Sequence, residues 1–509
     1  MVAAACLAGA IGWQAAQRQR ASTTEDQPTP APVSTTEPAQ PETPTSAPAL
    51  SDALDLVPAD SLLCWYARPF PDVAPSPDQP SALETLVSLG TTVAGPALNA
   101  EARLWARAIE AFGVAIRFRH ALVLIDAHAV AIESNPHVKR ADRIRFALIV
   151  ETHGDNTPFA RVLQAAINEQ TDQGAATQSL EQAGQWSYMK LTDRRLPEWC
   201  TIAWGRLDDY FVFTVGPEVW PHIAAVAAGQ ADALGRADWL AGAREQRGRD
   251  ALIEIIVASQ DIRARLDPVV DGRATDFFNA WHAQEIERAH WALGFEGRAM
   301  YCVAHFLEHG RTREYVYADP DIRAPHLLSV IPDDARYAIY RVSPQEVIPS
   351  FFSGLLATRS PADQHSVREL WARIQAQHGF DADRDILAHL GRHIVMHNYP
   401  PHPLRIPLAM TTLTEISGTP ETVRRTVDTI CSAWREEQLK LNAPGDDPNA
   451  MRVEQAPGGI WCLQFGWLDG PAWTVTDKYI ITSWSPAALR TYLDKYGDQV
   501  GVRPAAGRP

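Results

Sequence analysis

The stretch FALIVETHGDNTPFARVLQAAI, residues 146–167, returns in altered form as LAMTTLTEISGTPETVRRTVDTI, residues 408–430. Each stretch begins with a run of apolar and β-branched residues that is short enough for a strand, and then passes through a turn. Each then carries Thr-Pro, where the Thr oxygen caps a helix and Pro occupies its first position at no hydrogen-bonding cost. The pattern predicts a strand, a turn and a helix, twice in one chain.

Four further pairs of segments match in the same order along the chain. They join VPADSLLCWYARP from Val57 with IPDDARYAIYRVS from Ile331, RLWARAIEAFG from Arg103 with ELWARIQAQHG from Glu369, RHALVLID from Arg119 with RHIVMHNY from Arg392, and DDYFVFTVGP from Asp208 with TDKYIITSWSP from Thr476. The last pair ends in Gly216-Pro217 and Ser485-Pro486, which predict the start of a helix in each copy. Trp105 and Trp371 occupy matched sites, and we expect matched Trp residues to be core anchors.

Five matches in register favour an internal duplication. We place one copy at residues 56–230 and the second at 328–497, with a tail at 498–509. The expected fold is α+β: two similar modules of mostly antiparallel sheet with helices on one face, joined by a shorter α+β connector at residues 231–327.

The first fifty residues differ in composition from this body. Residues 1–16, MVAAACLAGAIGWQAA, are apolar and uncharged, and residues 21–50 hold seven Pro and seven Thr with no aromatic residue, Lys or Arg. Such a Pro-rich stretch buries too little apolar surface to fold, and Pro keeps it extended. We expect residues 1–20 to be a membrane anchor or export segment and residues 21–55 to be a disordered stalk. The alternative for the apolar run is a frayed, Ala-rich terminus.

Composition and charge exclude several functional classes. The chain has 509 residues, 46% apolar and 21% charged, which is ordinary for globular domains. Its formal net charge of -15 opposes nucleic-acid binding, which needs basic side chains. The six Cys form no C-x-x-C pair, and the phosphate-loop, dinucleotide and Ser-elbow motifs are missing, so we expect no cofactor.

The layout resembles a family of uncharacterised bacterial envelope proteins, a domain of unknown function with an N-terminal membrane segment, a Pro-rich stalk and a duplicated body. The resemblance rests on Val57-Pro58-Ala59-Asp60, on Asp385-Ile386-Leu387 and on Leu390-Gly391. It implies a body anchored to the membrane and held outside the cytoplasm. It implies no particular chemistry.

The sharpest chemical motif is His305-Phe306-Leu307-Glu308-His309. It is similar to the zinc site of the inverted-motif metallopeptidases, which would make His305 and His309 ligands on one helix face and Glu308 the general base. Two features depart from that family. No Glu follows at the usual distance, with Glu369 the nearest, and residues 299–307 also read as a strand, which would separate His305 from Glu308.

A second group of histidines is His389, His393, His397 and His402 in HLGRHIVMHNYPPHP. Their four-residue spacing aligns the first three on one face, so metal or ligand binding is one interpretation. The other is that they are partly buried or satisfy a turn. His393 matches His120 of the first copy, which favours a structural role there.

From these observations we expect a non-catalytic, membrane-tethered envelope protein that serves in binding or assembly. Its partner would be an envelope protein or a small ligand, with no nucleic acid and no metal. Two alternatives stay open: a zinc metallopeptidase-like enzyme or remnant, and a small-ligand binder that uses a cleft between the two copies.

Overall fold

The structure is a computed structural model that describes most of the body. The described residues are 52–69, 113–132, 135–171, 176–194, 199–247, 250–266, 284–316, 325–357, 361–402, 410–441, 451–465 and 468–502. Three predicted segments lie outside the described residues. They are the expected anchor, the expected stalk except for its last residues, and the Leu-Trp-Ala-Arg segment from Leu104. In the described part of the chain, no helix is long and apolar enough to cross a membrane.

The strands within these ranges belong to one mostly antiparallel sheet. They are β1 (Leu63–Ala67), β2 (His120–Ile132), β3 (Asn135–Glu151), β4 (Ala176–Ala183), β5 (Trp186–Asp193), β6 (Ile202–Leu207), β7 (Tyr210–Val215), β8 (Ile253–Val257), β9 (Ile286–Glu296), β10 (Ala299–Glu308), β11 (Arg311–Val316), β12 (Tyr337–Arg341), β13 (Leu390–His397), β14 (Thr411–Ile416), β15 (Met451–Ala456), β16 (Ile460–Phe465), β17 (Leu468–Val475) and β18 (Tyr479–Ser483).

The helices pack against this sheet or connect its strands. They are α1 (Thr157–Thr171), α2 (Val219–Ala227), α3 (Asp238–Arg247), α4 (Ser259–Leu266), α5 (Pro325–Leu328), α6 (Pro344–Ala357), α7 (Pro361–His378), α8 (Ala382–Asp385), α9 (Pro420–Leu441) and α10 (Pro486–Val500), with short 3₁₀ turns at Ala53–Leu56, Leu234–Arg236 and Leu387–His389. The chain therefore has the expected α+β fold.

The two halves of the sheet have the same pairing order. In the first half, the order of adjacent strands is β4, β5, β6, β7, β3, β2, β1. In the second half it is β15, β16, β17, β18, β14, β13, β12. The likeness is one of order and pairing, and a duplication of the sequence stays a prediction.

Strands β8, β9 and β10 of the connector join the halves. Strand β8 pairs with β1 on one side and β9 on the other, and β9 pairs with β10. Strand β10 then meets β12 in a parallel contact, where Ala299 lies opposite Tyr337. The connector thus supplies the centre of the sheet.

Helices cover both faces of each half, so the expectation of helices on one face is wrong. Phe159 of α1 packs with Leu148 and Val150 of β3, whereas Trp220 of α2 packs in the cluster that holds Ile149 on the other face. The physical reason is visible in the run ALIV at residues 147–150. Successive side chains of a strand point to opposite faces, so a run that is apolar throughout needs cover on both.

The second half repeats this arrangement. Cys431 of α9 packs with Val453 and Trp461 on one face, and Leu489 of α10 packs with Ile481 on the other. Both helices are therefore fixed on the sheet through one side and expose the opposite side.

Candidate functional site

The motif from His305 to His309 does not form a helix. Strand β10 runs to Glu308 and pairs with β11 as a hairpin, and the turn residues His309 and Gly310 have φ values of 50° and 71°. The conformation that a zinc peptidase site requires is therefore replaced by a strand and a turn. The competing strand signal in residues 299–307 was the correct one.

The three motif residues do not converge on one point. His305 is fully buried on β10 and Glu308 is buried at its end, whereas His309 is exposed, with its Nε2 3.6 Å from Glu285 Oε2. Within the described ranges, no group of three or more His, Cys, Asp or Glu side chains is arranged to hold a metal ion. The motif thus lacks the geometry of the site it resembles.

His305 instead belongs to a buried polar network in the connector. It lies directly opposite His290 on β9, and the two imidazole rings stack with centroids 5.5 Å apart. His290 Nε2 lies 2.7 Å from Oε2 of Glu254 on β8. Since a carboxylate only accepts hydrogen bonds, the ring nitrogen is the donor.

Arg244, on helix α3, is the last member of this network. Its Nε and Nη2 donate to the two oxygens of Glu254 at 3.0 and 2.9 Å, and its Nη1 donates to Asp52 at 3.2 Å. The guanidinium also lies over the ring of Tyr66, 5.5 Å from its centroid. The contact with Asp52 joins the first described residue of the chain to the centre of the sheet.

The network keeps Glu254 ionised. Burial alone would raise the pKa of this carboxyl, but the hydrogen bonds from His290 and Arg244 outweigh burial and hold the pKa well below its usual range. The side chain of Glu254 is only 3% exposed and that of His290 is fully buried. The hydrogen bonds of Glu254 are therefore shielded from solvent, and they join α3, β8 and β9.

Sequence reasoning missed Glu254 and Arg244. Glu254 stands inside the strand run ALIEIIVA, where a single carboxylate interrupts residues that are otherwise apolar. That interruption was the available signal, because a charge in a strand covered on both faces must be paired. Arg244 gave no signal, since Arg is common on exposed helix surfaces.

The second group of histidines is spread over separate contacts. His389 Nδ1 accepts a hydrogen bond from the Thr419 amide at 3.1 Å, and His393 Nδ1 lies 2.8 Å from Glu415 Oε2. His397 is buried, with its ring 4.9 Å from that of Tyr492. The three side chains therefore lie in one segment but contact different groups.

Two of these contacts have further consequences. Glu415 lies between His393 and His326, whose Nε2 is 3.7 Å from Glu415 Oε1, so a carboxylate faces two imidazoles near the surface. His397 accepts a hydrogen bond from the Tyr399 amide at 3.3 Å, and burial lowers the pKa of His397 to about 4. His402, the last of the series, places its ring against Trp484.

An open groove of about 500 Å³ lies between the end of α7 and the outer side of α9. It is within the second half of the sheet and not between the two halves. The groove is lined by His378, Glu421, Arg424, Arg425, Asp428, Thr429, Ser432, Ala433 and Glu436. No catalytic motif in the sequence pointed to it.

Helix α7, whose last residue His378 lines the groove, exposes large apolar side chains. Val367, Leu370 and Trp371 are 45%, 41% and 38% exposed. Spacings of three and four residues put them on one face of the helix. Phe352 of α6 is also exposed. The expectation that Trp371 is a core anchor is therefore wrong, although its ring does contact Phe380 edge-on at 5.8 Å.

No protein-family model and no curated protein matches the chain. Among solved structures, crystal form I of TP0453 is 8% identical with a TM-score of 0.24, and the match covers 52% of this chain and 81% of that one. Crystal form III of TP0453 is 7% identical with a TM-score of 0.24, covering 55% of this chain and 86% of that one. Similarity at this level carries no conclusion about the fold or the function of this chain.

Proposed function

We propose that this chain is a non-catalytic, membrane-tethered protein of the cell envelope whose folded body binds another protein in an assembly. The observation that carries the proposal is the apolar face of α7, formed by Val367, Leu370 and Trp371. Exposed apolar residues that stand singly are normal, but neighbours on one helix face mark an interaction surface.

The energetic reason is the free energy gained when such a face leaves water. Full burial of one Leu, Val or Phe side chain is worth about 1.5–3 kcal/mol. Val367, Leu370 and Trp371 are each less than half exposed, so a partner gains a part of that amount from each. This gain is enough to favour a specific partner, provided that polar contacts fix the orientation.

The proposed localisation in the cell envelope rests on the first fifty residues of the sequence. An apolar run at residues 1–16 precedes a Pro/Thr-rich stretch at residues 21–50, and the folded body follows. A Pro-rich stretch acts as a semi-rigid spacer, which would hold the body away from a membrane surface.

Cell fractionation combined with protease shaving tests the proposed localisation. We expect the chain in the membrane fraction, and we expect protease added to cells with a permeabilised outer layer to degrade the body while cytoplasmic proteins stay intact. If the body is protected from the protease until the cytoplasmic membrane is lysed, the proposed localisation is wrong.

The size of the native assembly tests the binding role. We expect the extracted wild-type chain to sediment as part of a larger complex, and a Val367→Asp/Leu370→Asp double variant to sediment as the free chain. Leu180→Asp is the matched control, because Leu180 is 70% exposed on β4, in the other half. Equal sedimentation of the wild type and the double variant would contradict the proposal.

A further inference from the structure

We infer that the β2–β3 hairpin binds a phosphate group, in the form of a phosphate monoester dianion, at the point where it leaves the sheet. The site consists of Arg143 and Arg145 on β3 and Arg265 at the end of α4, arranged around Asp126 of β2. It shares no residue with the apolar face of α7, so the inference goes beyond the proposed function and does not depend on it.

The pairing of the strands brings three of these residues together. Strand β3 pairs with β7 from Phe146 onward, and β2 pairs with β1 up to Leu124. Beyond these positions the described parts of β2 and β3 pair only with each other, and Asp126 lies directly opposite Arg145. Opposite residues in an antiparallel pair share one face of the sheet, as do residues two positions apart in a strand. Asp126, Arg143 and Arg145 therefore lie on the same face.

Asp126 positions two of the guanidinium groups. Its side chain is only 10% exposed, and its Oδ2 lies 2.8 Å from Nη2 of Arg143. Its Oδ1 lies 3.6 Å from Nη2 of Arg265, which reaches the carboxylate from the last turn of α4. The side chains of Arg143 and Arg265 are 45% and 48% exposed, so both guanidinium groups remain accessible to a ligand from solvent.

Arg145 supplies a donor that has no acceptor among the described residues. The residue is partly buried, and its Nε is shielded from solvent without a hydrogen-bond partner in that part of the chain. The aliphatic part of its side chain lies beside Gly216, where an added Cβ would stand 3.2 Å from Cγ of Arg145. A buried donor without an acceptor is costly, and a bound ion is one way in which proteins satisfy it. An oxyanion at this guanidinium would remove that cost.

The charge of the cluster selects a dianion. Three guanidinium groups surround the single carboxylate of Asp126, which leaves two positive charges in excess, and the exposed His128 opposite Arg143 adds no negative charge. A phosphate monoester carries about -1.5 to -2 charges at neutral pH and three acceptor oxygens, whereas a carboxylate carries a single charge. Guanidinium groups also match phosphate oxygens with paired hydrogen bonds. The excess is local, because the whole chain has a formal net charge of -15.

Isothermal titration calorimetry of the purified full-length chain with inorganic phosphate tests the site. We expect the chain to bind phosphate at neutral pH, and we expect at least tenfold weaker binding of acetate, because acetate carries one charge and offers fewer acceptors. If phosphate does not bind, or if phosphate and acetate bind with equal affinity, the inference is wrong.

Variants locate the phosphate on the molecule. We expect Arg145→Met to raise the Kd for phosphate at least tenfold, because Met keeps an apolar stem beside Gly216 and removes the guanidinium group. Arg265→Met changes an exposed residue at the end of α4, where the fold tolerates substitution, and should raise the Kd at least threefold. Arg490→Met, at an exposed position on α10, is the matched control and should stay within twofold. Wild-type affinity in both Arg145→Met and Arg265→Met would place the phosphate elsewhere and overturn the inference.

A lipid headgroup and a soluble phosphate ester offer the same chemistry, and flotation with vesicles distinguishes them. Vesicles of phosphatidylcholine and phosphatidic acid present a phosphate monoester on a membrane surface. Flotation that is lost in Arg145→Met would assign the phosphate group to a lipid. Flotation that does not depend on Arg145, together with phosphate binding that does, would assign it to a soluble ester. Both results support the site, whereas the absence of any Arg145-dependent binding of phosphate or of these vesicles would overturn it.

Discussion

Glu254 shows how much a single buried charge depends on its partners. The carboxylate accepts two hydrogen bonds from Arg244 and one from His290. The side chains of Glu254 and His290 are buried, and that of Arg244 is 21% exposed. Removing one member of such a set leaves an uncompensated charge in a medium of low dielectric constant.

We therefore expect Glu254→Gln to lower the free energy of unfolding by about 3 kcal/mol, measured by urea denaturation. Glu181→Gln is the control, because Glu181 forms a more exposed pair with Lys190 at 3.0 Å and should cost less than about 1 kcal/mol. A loss in Glu254→Gln no larger than that of the control would show that the network contributes little to stability.

His397 makes stability depend on pH. In the folded state its pKa is lowered to about 4, whereas an unfolded chain binds the proton at the ordinary value of about 6.5. Between these values the unfolded state binds more protons than the folded state, so stability falls as the pH falls through this window.

We expect protonation of His397 to lower the free energy of unfolding by about 2 kcal/mol when the pH falls from about 7.5 to about 5. A His397→Phe variant keeps a ring against Tyr492 and should show a correspondingly smaller loss in urea titrations at the two pH values. His309→Asn, at an exposed turn, should keep the wild-type pH dependence. Identical pH dependence in His397→Phe and wild type would contradict the assignment.

At the scale of elements, the Pro signals were right for some helices and wrong for one. Ser485 caps α10 through a hydrogen bond from the Ala488 amide at 3.1 Å, with Pro486 in the first turn, as predicted. In the first half, α2 begins only at Val219, after Glu218 with φ of 60° and no side-chain cap. Gly216 has a φ of 114°, so the Gly-Pro pair forms a turn that a side chain would strain.

We expect Ser485→Ala to lower the free energy of unfolding by about 1 kcal/mol, because the amides at the start of α10 lose their acceptor. Thr491→Ala lies in the exposed middle of the same helix and should cost less than about 0.5 kcal/mol, since Ala is the better helix former. Urea denaturation of both variants checks the difference, and equal costs would contradict a capping role.

The exposed face of α7 marks the limit of what the sequence could predict. The spacing of Val367, Leu370 and Trp371 identifies an apolar helix face, but such a face is equally typical of a helix that packs on a core. Only the positions of the neighbouring elements show that this face is left open. The same holds for His305, where a helical metal motif and a strand pattern compete in one segment and the pairing with His290 decides.

At the scale of the whole molecule, the two halves meet at a narrow junction in one sheet. Arg298 donates to the carbonyls of Pro332 and Ala335 at 2.8 and 3.1 Å, and its guanidinium lies over the ring of Tyr337. The Tyr337 amide donates to the Arg298 carbonyl at 2.9 Å. This side chain joins the connector to the first strand of the second half.

We expect Arg298→Ala to loosen this junction without unfolding either half. Hydrogen exchange should become at least tenfold faster at residues 335–339 and stay within twofold at β3 and β14, which lie inside the two halves. Arg490→Ala, an exposed position on α10, is the control and should change neither. Faster exchange throughout the sheet would mean that the junction is not a separate unit.

The sequence predicted the α+β class and the strand, turn and helix within residues 146–167 and 408–430, because apolar runs and turn residues are local signals. It did not predict helices on both faces or the continuous sheet through the connector. These features depend on pairings between segments that are far apart in the chain, such as β10 with β12, for which the local pattern carries no signal.

The most direct test of the proposed role is site-specific photo-cross-linking in living cells of the native host. A photoreactive amino acid at position 370 should give one discrete adduct with another protein, and the same amino acid at position 180 should give none. The adduct should persist when the label moves to position 367 on the same face. Equal adduct patterns at positions 370 and 180, or none at either, would contradict an interaction surface on α7.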